Sequence, residues 1–201
     1  MPSSRPVPGR IVSRRFYARD ARIAAPELLG KVLVHGGRAA RIVEVEAYAG
    51  DEDPGSHAYR GPTPRTEVMF GPPGHLYVYF SYGMHWCANV VCGQKGEAGA
   101  VLLRAGSPVA GLEAIRAARP KARRDRDLTS GPARLCQALG IDGTFDGADL
   151  VKADRGVTLA SDGAALGVEP ATSTRIGLSQ GADLPWRWYL PGHPDVSGKP
   201  R

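Results

Sequence analysis

Residues 40–48 read ARIVEVEAY, an alternation of apolar and charged side chains that marks an extended strand with one face in a core. Val43 and Val45 point into that core, which puts Glu44, Glu46 and Tyr48 together on the opposite face. Two positions along a strand span roughly 6.6 Å, about the distance from a stacked nucleobase to the far side of its sugar. One side chain of the Glu46–Tyr48 pair can therefore hold a base while the other works at the anomeric carbon. The plainer reading makes Glu46 a solvent-facing strand acid and Tyr48 a rim aromatic, and strand physics by itself favours it.

Working outward, Lys31–Val34 is a second β-rich run joined to this strand through His35, Gly36 and Gly37, the signature of a hairpin. Before it, Phe16 to Leu29 reads as a helix closed by Gly30, and the polar, Pro-containing residues 1–14 read as a flexible tail. After it, Ala49 to Pro73 holds acids, glycines, prolines and arginines with little secondary-structure signal, the mark of a functional loop. His75 to Cys92 alternates again, with a turn at Gly83. Tyr77, Tyr79 and Ser81 share one strand face and Leu76, Val78, Phe80 and Tyr82 the other. Tyr82 stands at a hairpin tip, where an aromatic ring needs something to contact; a wedge into the minor groove of DNA is one such role. Ala100–Ala105 and Val157–Ala160 are further strands, Trp186–Leu190 another, and Val109–Ala118 and the segment from Ser130 to Leu139 are helices, the latter with Pro132 in its first turn. By pattern alone the fold is mixed, in one domain.

Composition narrows the function without fixing it. The 201 residues are 42% hydrophobic, enough for one well-filled core, and Lys and Arg outnumber Asp and Glu by 26 to 20, which favours a polyanionic partner. Cys87, Cys92 and Cys136 have no ligand spacing and do not pair off evenly, which fits a reducing compartment. No stretch of about 18 apolar residues or secretory leader is evident, so a soluble cytoplasmic protein is expected, with no membrane partner. His57, His75 and His85 match no zinc spacing, and there is no Walker loop, dinucleotide fingerprint or nucleophile elbow. We expect neither a metal nor an organic cofactor. Arg60 and Arg65, with Thr63 between them, and Arg134 near a helix N-terminus are candidate phosphate contacts.

The stretch RIVEVEAYAGDEDPGSHAYRGPTPRTEVMFGPPGHLYVYFSYGMHWCANVV, followed by AVLLRA and GPARLCQALGI, resembles the alkyladenine (3-methyladenine) DNA glycosylase family. The likeness runs in order from about Leu28 to the HPDVS tail. It implies an α+β domain over residues 15–201, with a curved, largely antiparallel sheet flanked by helices and a protruding hairpin that intercalates into DNA. It also implies a monofunctional base-excision repair enzyme. Such an enzyme acts on double-stranded DNA, turns alkylated or deaminated purines out of the helix and hydrolyses the N-glycosidic bond. It works as a monomer, in the cytoplasm and beside the nucleoid if the source is bacterial. Carried over residue by residue, Glu46 is the general base, Arg104 helps to position the attacking water, and a carbonyl between Arg175 and Leu178 completes the water's cradle. Tyr48, His57 and Tyr79 form the base pocket, and Asn89 is a gate against the exocyclic amine of guanine. Tyr82 fills the gap in the duplex, Thr63, Met84 and His85 line the minor-groove surface, and Arg60, Arg65 and Arg134 meet phosphates. Two rivals remain at this level. A lesion-binding protein without chemistry would keep Tyr82 and the arginines but has no need for Glu46 beside Arg104. A hydrolase of free nucleosides has no need for a wedge.

Overall fold

A computed structural model describes residues 9–198. Its strands are β1 (Arg10–Ile11), β2 (Val32–His35), β3 (Arg38–Ala49), β4 (Leu76–Ser81), β5 (His85–Cys92), β6 (Gly99–Ala110), β7 (Val157–Ser161), β8 (Ala171–Ser173) and β9 (Arg187–Tyr189). The helices are α1 (Arg14–Tyr17), α2 (Ala21–Leu28), α3 (Leu112–Ala118) and α4 (Pro132–Leu139). The strands form one antiparallel sheet in the order β1-β7-β2-β3-β6-β5-β4, with β9 on β3 and β8 outside β9. The expected mixed fold with a curved antiparallel sheet is therefore found.

β3 organises the sheet. One edge pairs with β6 along almost its whole length; the other pairs with β2 over Arg38–Arg41 and then with β9 over Glu44–Glu46. At this change of partner the β3–β6 register shifts: Ile42 opposes Gly106, Glu44 opposes Ala105 and Val45 opposes Leu103. Val43 on β3 and Arg104 on β6 are the residues left over. Such bulges bend a strand and re-aim a side chain, and here they help curl the sheet into a half-barrel.

On one side of the sheet, Leu33, Ile42, Val45 and Leu103 pack with Leu28, Ile115, Leu135 and Leu139 from the helices. Each such fully buried side chain contributes roughly 1.5–3 kcal/mol relative to exposure. On the other side a smaller cluster of Ala58, Met69, Tyr77, Val91, Ala98 and Ala100 draws the loop after β3 back onto the sheet. That loop contains only two short 3-10 turns, Gly50–Glu52 and Glu67–Phe70, consistent with its weak sequence signal.

Three expectations are corrected. The helix read over Phe16–Leu29 is two helices: the first ends at Tyr17 with Ala18 as its C-cap, and Asp20 caps the second, accepting from the Arg22 N–H. The helix read from Val109 starts at Leu112. Pro108 and Ala110 are still paired to β3, and Gly111, with φ 70°, makes the turn. β8 carries no alternation and was not expected. Of the tail read over residues 1–14, the first eight lie outside the described residues. Arg10 and Ile11 pair with β7, and Arg14 forms an ion pair with Asp149, so the structured chain begins before Phe16.

Candidate active site

Beneath the sheet's open face, Glu46 is completely buried, which overturns the reading of a solvent-facing strand acid. Its alternation with Val45 and Ala47 is as expected, but the face it occupies is roofed. Its carboxylate accepts three hydrogen bonds: Tyr48 Oη at 3.0 Å, Arg104 Nη1 at 3.2 Å and the Ile176 N–H at 2.8 Å. Strand spacing brings Tyr48, the bulge turns Arg104, and the loop before β9 supplies Ile176.

Glu44, two residues earlier and equally buried, accepts from Arg104 Nε (3.0 Å), Arg187 Nε (2.7 Å), and the Ser197 N–H (2.7 Å) and Oγ (3.0 Å). Two guanidinium groups thus face two carboxylates, and the buried cluster has no net formal charge. Burial works against the charge of Arg104, but Glu46 and then Glu44 outweigh it and hold its pKa above the usual value. Sequence reasoning placed Glu44 on this face without giving it a role, and missed Arg187 and Ser197 entirely.

Above the cluster opens a cavity of about 520 Å³, lined by Tyr48, His57, Tyr79, Asn89 and Arg104, with Arg65, Tyr77 and Cys87 among its walls. This size suits a small ligand. The Tyr77 and Tyr79 rings stack at 5.6 Å, and His57 meets the Tyr79 ring edge-on at 4.6 Å while its Nδ1 lies 3.0 Å from Tyr77 Oη. Burial, followed by the charge of Glu46, pushes the Tyr48 phenol well above its ordinary pKa, so it stays a hydrogen-bond donor. Burial does the same for Tyr79. His57 keeps an exposed edge at the mouth of the cavity; partial burial and then the Arg65 charge lower its pKa, favouring the neutral ring. Asn89 is buried, its Nδ2 donating to Tyr77 O at 3.2 Å.

Tyr82 sits in the β4–β5 turn at the edge of this cavity, 84% exposed, with Met84 also exposed. Its backbone is left-handed (φ 50°), as is that of Gly83 (φ 64°), and the Met84 N–H donates to Ser81 O. Two successive positive φ angles suit a tight hairpin turn, for which a tyrosine is an uncommon choice. Tyr82 thus belongs to the tip and not to a strand face.

Apart from Arg65, the remaining candidates do not line the cavity. Arg65 is over the Tyr79 ring, 5.5 Å from its centre, whereas Arg60 and Thr63 are exposed on the same loop without lining the cavity. Met84 and His85 border a neighbouring groove with Arg119 and Lys121. Arg134, exposed, donates to Ser130 Oγ and borders a separate hollow with Arg126 and His193. Among the described residues, no group of three or more His, Cys, Asp or Glu is placed to hold a metal ion, and no helix is long and apolar enough to cross a membrane.

The comparisons agree with this architecture. The methylpurine-DNA glycosylase family model matches residues 15–194. A protein of Burkholderia lata, provisionally named a 3-methyladenine DNA glycosylase, is 57% identical over 192 residues, covering 95% of this chain and 93% of its own. One of Burkholderia cenocepacia with the same name is 58% identical over 194 residues (96% and 94%), and one of Streptomyces avermitilis 48% identical over 192 residues (92% and 90%). With a buried carboxylate–arginine cluster under an aromatic cavity and matches over nearly its whole length, the chain belongs to the methylpurine-DNA glycosylase family and is a DNA glycosylase.

Proposed function

We propose that the cavity receives a damaged purine turned out of duplex DNA, and that Glu46 activates the water that hydrolyses its N-glycosidic bond. The observation that carries this reading is that Glu46 is held by Tyr48 and Arg104, both of which line the aromatic cavity. Tyr48, Tyr79 and His57 hold the base, at roughly 1–3 kcal/mol per base–aromatic stack. Asn89, fixed by the Tyr77 carbonyl, opposes the amine of guanine. Tyr82 enters the minor groove and fills the space the base leaves.

In the reaction, water oxygen bonds to the sugar C1′ as the C1′–N bond breaks, and the bonding pair departs with the purine. Glu46 takes the water's proton, and its negative charge stabilises the oxocarbenium-like sugar. Arg104 orients the carboxylate, and a positioned proton transfer is worth about 10²–10⁴-fold. A cationic base such as 3-methyladenine or 7-methylguanine leaves readily; hypoxanthine and ethenoadenine lean more on the pocket. No lysine lines the cavity, which favours simple hydrolysis over a Schiff-base route. The reading includes action as a monomer and a place in the cytoplasm, with the nucleoid DNA.

The test is incubation of the protein with duplexes carrying hypoxanthine or ethenoadenine and with methylated DNA. Free base should appear, with strands that break only after alkali. Tight binding of the lesion duplexes with no base released from any of them would favour the lesion-binding rival, and release from free nucleosides alone would favour the other.

A further inference from the structure

Arg175 has no part in the reaction just described, yet its guanidinium is fully buried in the loop that supplies the Ile176 N–H. Nη1 donates to Asp53 Oδ2 (2.5 Å) and to Ala47 O (3.0 Å), and Nη2 donates to Asp53 Oδ1 (2.7 Å) and to Gly181 O (3.0 Å). The same plane lies 4.7 Å from the centre of the Tyr48 ring and 5.2 Å from that of Trp186. Asp53 also accepts from the N–H groups of Ala49 (3.3 Å) and Gly55 (2.9 Å). The fit is tight, since a Cβ on Gly55 or Gly181 would come within 2.9 Å of Nη2.

One planar cation therefore meets β3 at Ala47, between Glu46 and Tyr48, and ties it to the start of the His57 loop and to the loop before β9. We infer that the Arg175–Asp53 pair is a positioning unit for the glycosylase step, setting the Tyr48 hydroxyl and the Ile176 N–H around the Glu46 carboxylate. This rests on the proposed role of Glu46. A buried ion pair adds little stability over an apolar pair of similar volume, whereas the rigid fork of an arginine fixes several partners at once. The pair thus has more to offer geometry than stability.

The test compares wild type, Glu46→Gln, Arg175→Lys and the apolar double variant Arg175→Met with Asp53→Leu. The reading is single-turnover release of hypoxanthine from a duplex oligonucleotide, as a maximal rate and a half-saturating protein concentration. The double variant should fold, retain half-saturation within about 3-fold and lose roughly 10²-fold in maximal rate, the scale of a small misplacement of reacting groups. Arg175→Lys keeps a charge for Asp53 but loses the planar face and the fork, and should fall between. A folded double variant with a maximal rate within about 3-fold of wild type would overturn the inference. Should the double variant not fold, the same result for Arg175→Lys would overturn it. If wild type releases nothing, or Glu46→Gln matches it, the reading of Glu46 falls and this inference with it.

Discussion

Tyr82 holds a left-handed backbone with its ring in solvent, two costs that the fold alone does not repay. Tyr82→Gly should raise the free energy of unfolding by up to about 1 kcal/mol by relieving the backbone. Tyr82→Ala keeps the strain and should give no such gain. Both should lose binding to a lesion duplex, and denaturant titration beside single-turnover excision separates the two effects. His57 makes a second point at this scale. Partial burial and then Arg65 disfavour its protonated form, so the stability this contributes is present above the unfolded-state pKa and is lost as pH falls through the lowered folded one. Arg65→Gln removes only the second influence. The imidazole should then titrate higher in an NMR titration, yet still below the ordinary range, whereas an unchanged titration would assign the shift to burial alone. The position of Tyr82 at a turn was legible because an aromatic stands beside a turn glycine; Glu46 fits the alternation of its strand, so its burial was not legible there, and its expected role came from the family resemblance alone. Arg175, Arg187 and Ser197 were not legible either, since their partners Glu46's neighbours, Glu44 and Asp53 lie more than a hundred residues away in sequence.

Among the elements, β3 and its bulge with β6 carry the site. The strand and its alternation could be read from ARIVEVEAY, but not the register shift, because a bulge depends on the partner strand and leaves no period in the sequence. The β2–β3 turn at Gly36–Gly37 and the start of α4 at Pro132 were legible from local chemistry, and both are found. Asp20 misled because a capping residue inside an apolar-periodic stretch also reads as an exposed helix position. Glu44 shows how the elements depend on one another, since it gathers β3, β6, β9 and the Ser197 segment. Glu44→Leu leaves Arg187 buried without its carboxylate and should destabilise the protein by about 3–5 kcal/mol, as measured by denaturant unfolding. A loss below about 1 kcal/mol would mean that water or a rearranged Glu46 replaces it.

Across the whole molecule the formal charge is +6, and Arg60 and Arg65, on the loop after β3, and Arg134, on α4, stand exposed. If each meets a phosphate in the bound duplex, replacing any one by Gln should weaken binding to all sequences alike and lower the log–log salt slope by about 1. A variant whose slope is unchanged marks an arginine that stays in solvent. The central claim concerns Glu46, and its most direct test is single-turnover excision of ethenoadenine or hypoxanthine by Glu46→Gln, set beside duplex binding by the same variant. The account predicts that binding persists while excision falls by about 10²-fold or more. Excision by Glu46→Gln at close to the wild-type rate would contradict it.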